Sequence, residues 1–311
     1  MANIKELSKL PERLSPGHRL CAGCGASIVA RQVLMGAGES AVVAGSATGC
    51  FEVATTIYPF TAWNIPFIHN AFENAAATMS GVETAYRALK KQGKIKKDIK
   101  FVAFGGDGGT YDIGLQSLSG ALERGHNFVY VCYDNGAYMN TGIQRSSATP
   151  TGASTTTAPA GKESYGKPQI RKDLTAIIAA HRIPYVAQAS ASHWNDLVTK
   201  SQKAFETEGP AFLNVLALCH RGWRYPQEQG IAIAKSAVDT CFWPLYEVTN
   251  GKEYKINYTP KEKKPITDWL KTQGRFKHLF KPGNEEVLKS IQAEIDTEWE
   301  YLNKKAEYFK A

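Results

Sequence analysis

The residues with the clearest chemical purpose lie in two short polar turns. Gly105, Gly106, Asp107, Gly108 and Gly109 follow the apolar run Phe101 to Phe104, and Asp134 and Asn135 follow a second run, Phe128 to Cys132. Glycines around Asp107 let the backbone approach a phosphate closely, with amide N–H groups and a helix amino terminus facing its charge. The Asp107 carboxylate would itself repel that phosphate. A hard divalent cation such as Mg²⁺ removes the conflict, because it takes oxygens from side chains, a backbone carbonyl and the phosphate together. Asp107 and Asn135, one strand-helix-strand unit apart, are suitable donors. A lone GDG would favour two ordinary turns with Asp and Asn at loop positions, whereas Asn135 placed one unit downstream favours the cofactor reading.

Thiols form a second candidate centre. Cys21 and Cys24 make a CxxC within SPGHRLCAGCG, Cys50 comes just after the apolar run Val42 to Ala47, and Cys219 closes the run Phe212 to Leu218. These positions are loops or strand ends. Cys132 instead lies inside an apolar strand and Cys241 inside a helical pattern, where a cysteine behaves as a small hydrophobe. A tetrathiolate site accepts Zn²⁺ or a [4Fe–4S] cluster, and spacing does not separate the two. One compact pair with dispersed further ligands near a redox cofactor favours iron–sulfur. A redox-active Cys21 and Cys24 pair, or simple burial, is the alternative.

Positioning these groups is the work of an α/β pattern. The amphipathic stretch Asp112 to Arg124, with Ile113, Leu115, Leu118 and Leu122 apolar, predicts a helix after the glycine turn. Both polar turns then sit at carboxyl ends of parallel strands, where ligands bind in open α/β sheets. Ala26 to Leu34 and the Ala-rich stretch Glu73 to Leu89 read as packing helices, the second preceded by His69. Gln144 to Gln169, rich in Ser, Thr, Gly and Pro, is too long for an ordinary connection and reads as an ordered active-site loop, with a linker as the alternative. A helix at Leu174 to His181, a strand at Tyr185 to Ala189, a helix at His193 to Phe205 and a strand at Phe212 to Leu218 continue the alternation. The fold class is a doubly wound, mostly parallel sheet over residues 1–241. Residues 242–311 form an α+β extension with a hairpin at Asn250 and Gly251 and helices at Ile266 to Thr272 and Glu285 to Lys305. Trp269, Trp299 and Tyr301 there suit a subunit contact or closure over the first domain.

The motifs together resemble one family, the thiamine diphosphate-binding β subunits of the 2-oxoacid:ferredoxin oxidoreductases, above all the pyruvate type. The similar text includes CAGCG (Cys21 to Gly25), ATGCFEV (Ala47 to Val53), PFTAWNIPFIHNAFENAAA (Pro59 to Ala77), GGDGGTYDIGLQSLSGALERGHN (Gly105 to Asn127) and YDNGAYMNTGIQRSSATPTGA (Tyr133 to Ala153). It continues in GPAFLNVLALC (Gly209 to Cys219), WPLYEV (Trp243 to Val248) and QGRFKHLF (Gln273 to Phe280). The resemblance implies that Asp107, Asn135 and the Ala137 carbonyl hold Mg²⁺ while Gly106, Gly108, Gly109 and Thr110 cradle the diphosphate. It also implies that Asn140 and Thr141 approach the reacting end of thiamine diphosphate, and that Cys21, Cys24, Cys50 and Cys219 ligate a [4Fe–4S] cluster, with Cys50 tying the two cofactors together.

The activity so implied is decarboxylation of a small 2-oxo acid, pyruvate with coenzyme A, with electrons leaving singly through the cluster to ferredoxin. Only the diphosphate-binding half of a thiamine site is recognisable here. An α subunit supplying the activating Glu and part of the substrate pocket, a further iron–sulfur subunit or domain, and a dimer of such heteromers are implied partners. Three places depart from the pyruvate pattern. Gly136 replaces the acidic residue of YDNEAYMNTG, Asn70 replaces an apolar residue, and His220 and Arg221 follow Cys219. Less negative charge there suggests oxalate as an alternative substrate, and a zinc-stabilised scaffold subunit is a non-enzymatic alternative.

Composition sets the outer bounds. At 311 residues, 43% hydrophobic, the chain can bury a large core. MANIKELSKLPERL lacks the apolar core of a secretory signal, and no apolar run approaches the roughly 18 residues of a membrane helix, so a cytoplasmic protein is expected. Net charge is +8, with Lys/Arg runs at Lys90 to Lys100 and Lys261 to Lys264. Such runs are ordinarily solvated faces, and no zinc-finger spacing or basic and aromatic stripe points to nucleic acid.

Overall fold

A sheet of eight strands runs through the middle of the molecule, in the order β2-β1-β3-β4-β6-β5-β7-β8. The computed structural model describes residues 3–309. Met1 and Ala2 of the amino-terminal stretch and Lys310 and Ala311 of the extension lie outside them. In chain order the elements are α1 (Ile4–Leu7), α2 (Gly25–Met35), β1 (Ala41–Ala47), α3 (Cys50–Thr55), β2 (Phe67–Asn70), α4 (Ala75–Lys91) and β3 (Ile99–Gly106). A π-helical turn, Gly108–Ile113, leads into α5 (Leu115–Glu123) and β4 (Val129–Asp134). After a long irregular segment come α6 (Leu174–Ala179), β5 (Tyr185–Ser190), α7 (Trp194–Glu206), β6 (Ala211–Leu216), α8 (His220–Trp223) and α9 (Gly230–Asp239). The chain ends with β7 (Leu245–Thr249), β8 (Glu253–Tyr258), α10 (Ile266–Leu270), a 3₁₀ stretch Gly274–Phe280 and α11 (Glu285–Tyr308).

Strand geometry explains why the apolar runs are continuous. Successive side chains point to opposite faces, and here both faces are covered. Val102, Phe104, Val129 and Val131 pack with Val29 and Val33 of α2 on one side. Phe101, Ala103, Tyr130 and Cys132 pack with Met79 of α4 and Leu118 of α5 on the other. The six strands from β2 to β5 are parallel, whereas β7 pairs antiparallel with β5 and then with β8. The hairpin therefore extends the same sheet, and residues on both sides of Phe242 share it. Its turn places Asn250 at φ 54° and Gly251 at φ 66°, the left-handed pair that matches strand twist.

Two expectations need correction. The helix from Asp112 to Arg124 is divided: a π turn covers Gly108–Ile113, α5 begins at Leu115, and the Gly114 amide reaches back to the Gly109 carbonyl at 2.7 Å. Extra residues in that turn crowd Gly114, where a Cβ would lie 2.4 Å from the Gly109 oxygen. Cys241 is not helical either. It follows α9 in a left-handed turn at φ 58°, although it is buried as expected. The segment 144–169 is ordered through its own contacts: the buried Lys167 ammonium donates to the Thr149 carbonyl at 2.5 Å, and the Ser154 amide donates to the Arg275 carbonyl at 2.9 Å. Trp269 is fully buried over the protein's own core, while Tyr301 stays exposed.

Candidate functional site

The strand order reverses at β1, whose neighbours β2 and β3 both follow it in the chain, and the crevice at such a point receives ligands. In register, Gly106 of β3 stands beside Tyr133 of β4, so the turns carrying Asp107 and Asn135 open at the same level. Thr48, Gly49 and Cys50 bring the end of β1 to the same crevice, with Tyr138, Asn140 and Thr141 on its far wall.

Asp107 is 1% exposed. Its Oδ2 accepts from the Ser146 hydroxyl at 2.5 Å and its Oδ1 from the Asn135 amide N–H at 3.2 Å. Burial, then the nearby Asp134 carboxylate, raises its pKa well above the ordinary value, so the site calls for positive charge. The Asn135 side-chain amide lies 2.9 Å from Asp107 Oδ1 and 3.0 Å from the Ala137 carbonyl oxygen, and its NH₂ turned toward them donates to both. The three groups therefore converge on one point, and turning the amide oxygen inward instead presents three oxygens to a small cation. Octahedral Mg²⁺ at about 2.1 Å from each ligand places adjacent oxygens about 3 Å apart. The donor set thus fits the ion.

The glycines fit a close backbone approach. A Cβ on Gly108 would lie 2.3 Å from the Tyr138 ring, and one on Gly109 would lie 2.9 Å from the Phe72 carbonyl oxygen. Tyr138 also donates its hydroxyl to the Gly108 carbonyl at 2.8 Å, fixing the turn. Thr110 turns its hydroxyl inward, donating to the Gly106 carbonyl at 2.8 Å and meeting the Tyr130 hydroxyl at 3.2 Å, so that hydroxyl is directed away from the crevice. Asn140 and Thr141 are exposed, and Thr141 Oγ1 donates to Gln144 Oε1 at 2.5 Å.

Behind the crevice, Asp134 accepts from the Tyr111 hydroxyl at 2.6 Å, from Arg171 at 2.8 Å and from the Gly136 amide at 3.0 Å. This network, with Ser146 and Tyr138, was not singled out as site chemistry from the sequence. The YDN and YMN text held two of its members, but only the folded segment 144–171 brings Ser146 and Arg171 to them.

Cys21, Cys24, Cys50 and Cys219 are free thiols, none fully buried. Burial raises Cys24 to about 11 and Cys50 to about 12, with neighbouring thiols adding to both shifts. Cys50 senses Cys219, Cys24 and Cys21 alike, so the CxxC loop, the start of α3 and the end of β6 meet in one region. The Gly25 amide donates to the Leu218 carbonyl at 2.9 Å, joining the loop to the strand end beside Cys219. Among the described residues, no group of three His, Cys, Asp or Glu side chains is arranged to hold a single metal ion. The Tyr225 hydroxyl, buried without a partner and sensing Cys219 and Cys24, faces the same region.

The departures from the pyruvate pattern lie elsewhere than expected. Asn70 is buried, with its amide donating to the Ile68 carbonyl at 3.2 Å. The His220 ring packs edge-on to Tyr225, 6.4 Å between centres, and Gly136 lies against Arg275. None lines the crevice.

Known proteins resemble this chain over most of its length. Residues 47–215 match the family described as thiamine pyrophosphate enzyme, C-terminal TPP binding domain. Pyruvate synthase subunit PorB of Thermotoga maritima is 53% identical, covering 96% of this chain and 95% of that protein. Its counterpart in Methanocaldococcus jannaschii is also 53% identical, covering 94% and 96%. Ketoisovalerate oxidoreductase subunit VorB of Pyrococcus furiosus is 45% identical over 99% and 98%. The solved 2-oxoglutarate:ferredoxin oxidoreductase from Magnetococcus marinus shares the fold, with TM-score 0.57 and 22% identity over 73% of this chain and 82% of that one.

Proposed function

The chain belongs to the 2-oxoacid:ferredoxin oxidoreductases, as a β subunit of the pyruvate:ferredoxin oxidoreductase kind, and from that premise we propose that it binds thiamine diphosphate through Mg²⁺ beside a [4Fe–4S] cluster and oxidises pyruvate. It is thus an oxidoreductase subunit of a larger enzyme. When bound, thiamine diphosphate supplies the electron sink that lets a 2-oxo acid lose CO₂. Asp107, Asn135 and the Ala137 carbonyl hold the metal, while Gly106, Gly108, Gly109 and the Thr110 main chain bring N–H groups to the diphosphate. Asn140 and Thr141 contact the reacting end, and Cys21, Cys24, Cys50 and Cys219 hold the cluster. The observation that carries this reading is the convergence of the Asp107 carboxylate, the Asn135 side-chain amide and the Ala137 carbonyl, the amide lying 2.9 Å from Asp107 Oδ1 and 3.0 Å from the Ala137 oxygen.

Pyruvate with coenzyme A is the substrate pair, in line with two relatives named as pyruvate synthase subunits, and ferredoxin takes the electrons. Residues 1–241 carry the cofactors, and 242–311 supply a buttress and a subunit contact. An α subunit contributes the activating Glu and the rest of the pocket, a further iron–sulfur subunit carries electrons onward, and the heteromers pair into a dimer in the cytoplasm. Among the described residues no helix is long and apolar enough to cross a membrane. Oxalate loses its support, since Gly136, Asn70 and His220 do not line the crevice. The zinc scaffold is disfavoured because the relatives are named as subunits of a pyruvate synthase and a ketoisovalerate oxidoreductase.

Anaerobic purification of the complex with metal, sulfide and thiamine analysis tests the reading. Expected are iron, acid-labile sulfide and thiamine diphosphate on this subunit, and turnover with pyruvate plus coenzyme A but not with oxalate alone. Cys50→Ala should lose the iron of this subunit. Stoichiometric zinc, or normal iron in that variant, would overturn the assignment.

A further inference from the structure

QGRFKHLF contains a residue that the chemistry above leaves without a task. Arg275 is 2% exposed, and its guanidinium lies 4.1 Å from the Trp223 ring centre, with Trp269 and Phe276 at 5.7 and 5.0 Å. Its Nε donates to Gln273 Oε1 at 2.9 Å, whereas its buried Nη2 has no acceptor among the described residues. Nη1 lies 3.0 Å from the place a Cβ on Gly136 would take. Gly136, at φ 74°, thus makes room for a cation where related YDNEAYMNTG text carries a carboxylate. Burial without a close counter-ion pushes Arg275 down to about 9, opposed by the charges it senses at Asp134, Cys219 and Asp107.

Its location gives that charge a consequence. Trp223, beneath the guanidinium, donates its indole N–H to the Asn135 carbonyl at 2.6 Å. The same short helix, α8, starts at Cys219, whose sulfur accepts the Gly222 amide at 3.4 Å. Arg275 therefore stands over the link between one cluster ligand and one Mg²⁺ ligand. Reduction of an iron–sulfur cluster adds negative charge, and net charge, hydrogen bonds and burial set its potential. We propose that Arg275 is a positioning residue whose uncompensated charge, held by Trp223 beside Cys219, stabilises the reduced cluster and raises its potential. This rests on the cluster assignment made above.

The test uses the whole complex, purified anaerobically, with Arg275→Gln, Arg275→Lys and Gly136→Glu. The readouts are iron and sulfide content and a potentiometric titration followed by electron paramagnetic resonance, with the signal lost in Cys50→Ala identifying this cluster. Arg275→Gln should shift that signal to more negative potential with iron retained, and Arg275→Lys should stay near wild type. Gly136→Glu, which neutralises the guanidinium without removing it, should shift in the same direction. An unchanged potential in either iron-containing variant, Arg275→Gln or Gly136→Glu, overturns the proposal, as does loss of iron from both, which would make Arg275 a support of the site. Absence of iron from the wild-type subunit would instead overturn the cluster assignment.

Discussion

Asp107, the Asn135 side chain and the Ala137 carbonyl converge, and that cluster makes the proposed metal site testable residue by residue. Asp107 is the anionic member of the set, so Asp107→Ala should weaken thiamine diphosphate binding in Mg²⁺ by more than about 100-fold, beyond the 10–100-fold usual for losing an outer partner. Ser146→Ala, which removes only the 2.5 Å hydrogen bond to Asp107, should fall within that lower range. Calorimetric titration with the cofactor in Mg²⁺ checks both, and equal binding by Asp107→Ala and wild type would remove the metal site. The closeness of Asp107 and Asn135 was legible in sequence because both follow apolar strand runs one strand-helix-strand unit apart. Ala137 came only from resemblance, since a backbone carbonyl has no signature in sequence. Ser146 and Arg275 were silent because the segments carrying them reach the site only through tertiary packing.

Elements show the same division between local and distant information. The strands were legible from their apolar runs, but β3 runs on through Gly106 and β4 through Asp134, residues read as turns, because their main chains keep pairing with the neighbouring strands. The π turn was not, because Ile113, Leu115, Leu118 and Leu122 read as one helical stripe while Ile113 is exposed and Gly114 breaks the register. Likewise α3 and β2 are too short to leave a period. One junction between elements decides the thiol region: α2 begins at Gly25, hydrogen-bonded to Leu218 just beyond β6. A Cβ on Gly25 would lie 2.1 Å from the Leu218 nitrogen. Backbone on both sides leaves no flexible atom to yield, so Gly25→Ala should destabilise the protein by about 2 kcal/mol or more and separate Cys24 from Cys219. Urea unfolding and iron content measure the two effects. Unchanged iron and stability would mean that the loop and strand end move freely relative to each other.

At the scale of the whole molecule, the proposed function makes the crevice half of a reaction chamber. Asp107 and the diphosphate turn are buried, yet Asn140 and Thr141 at the opposite end are exposed to water. Decarboxylation chemistry of this kind is protected from side reactions by excluding water. On the proposed reading, the surface that does so comes from another chain, and the relatives are themselves named as subunits. The isolated chain should therefore bind thiamine diphosphate and Mg²⁺ through its own residues but turn over pyruvate at less than about 1% of the rate of the complex, a loss of roughly 3 kcal/mol in barrier terms. Hydrogen exchange at Met139 to Gly142 should slow on assembly, while exchange in β3 and β4, already buried between two layers, should not change. Full turnover by the single chain, or a segment 139–142 equally exposed in the complex, would mean that the chamber is closed in some other way.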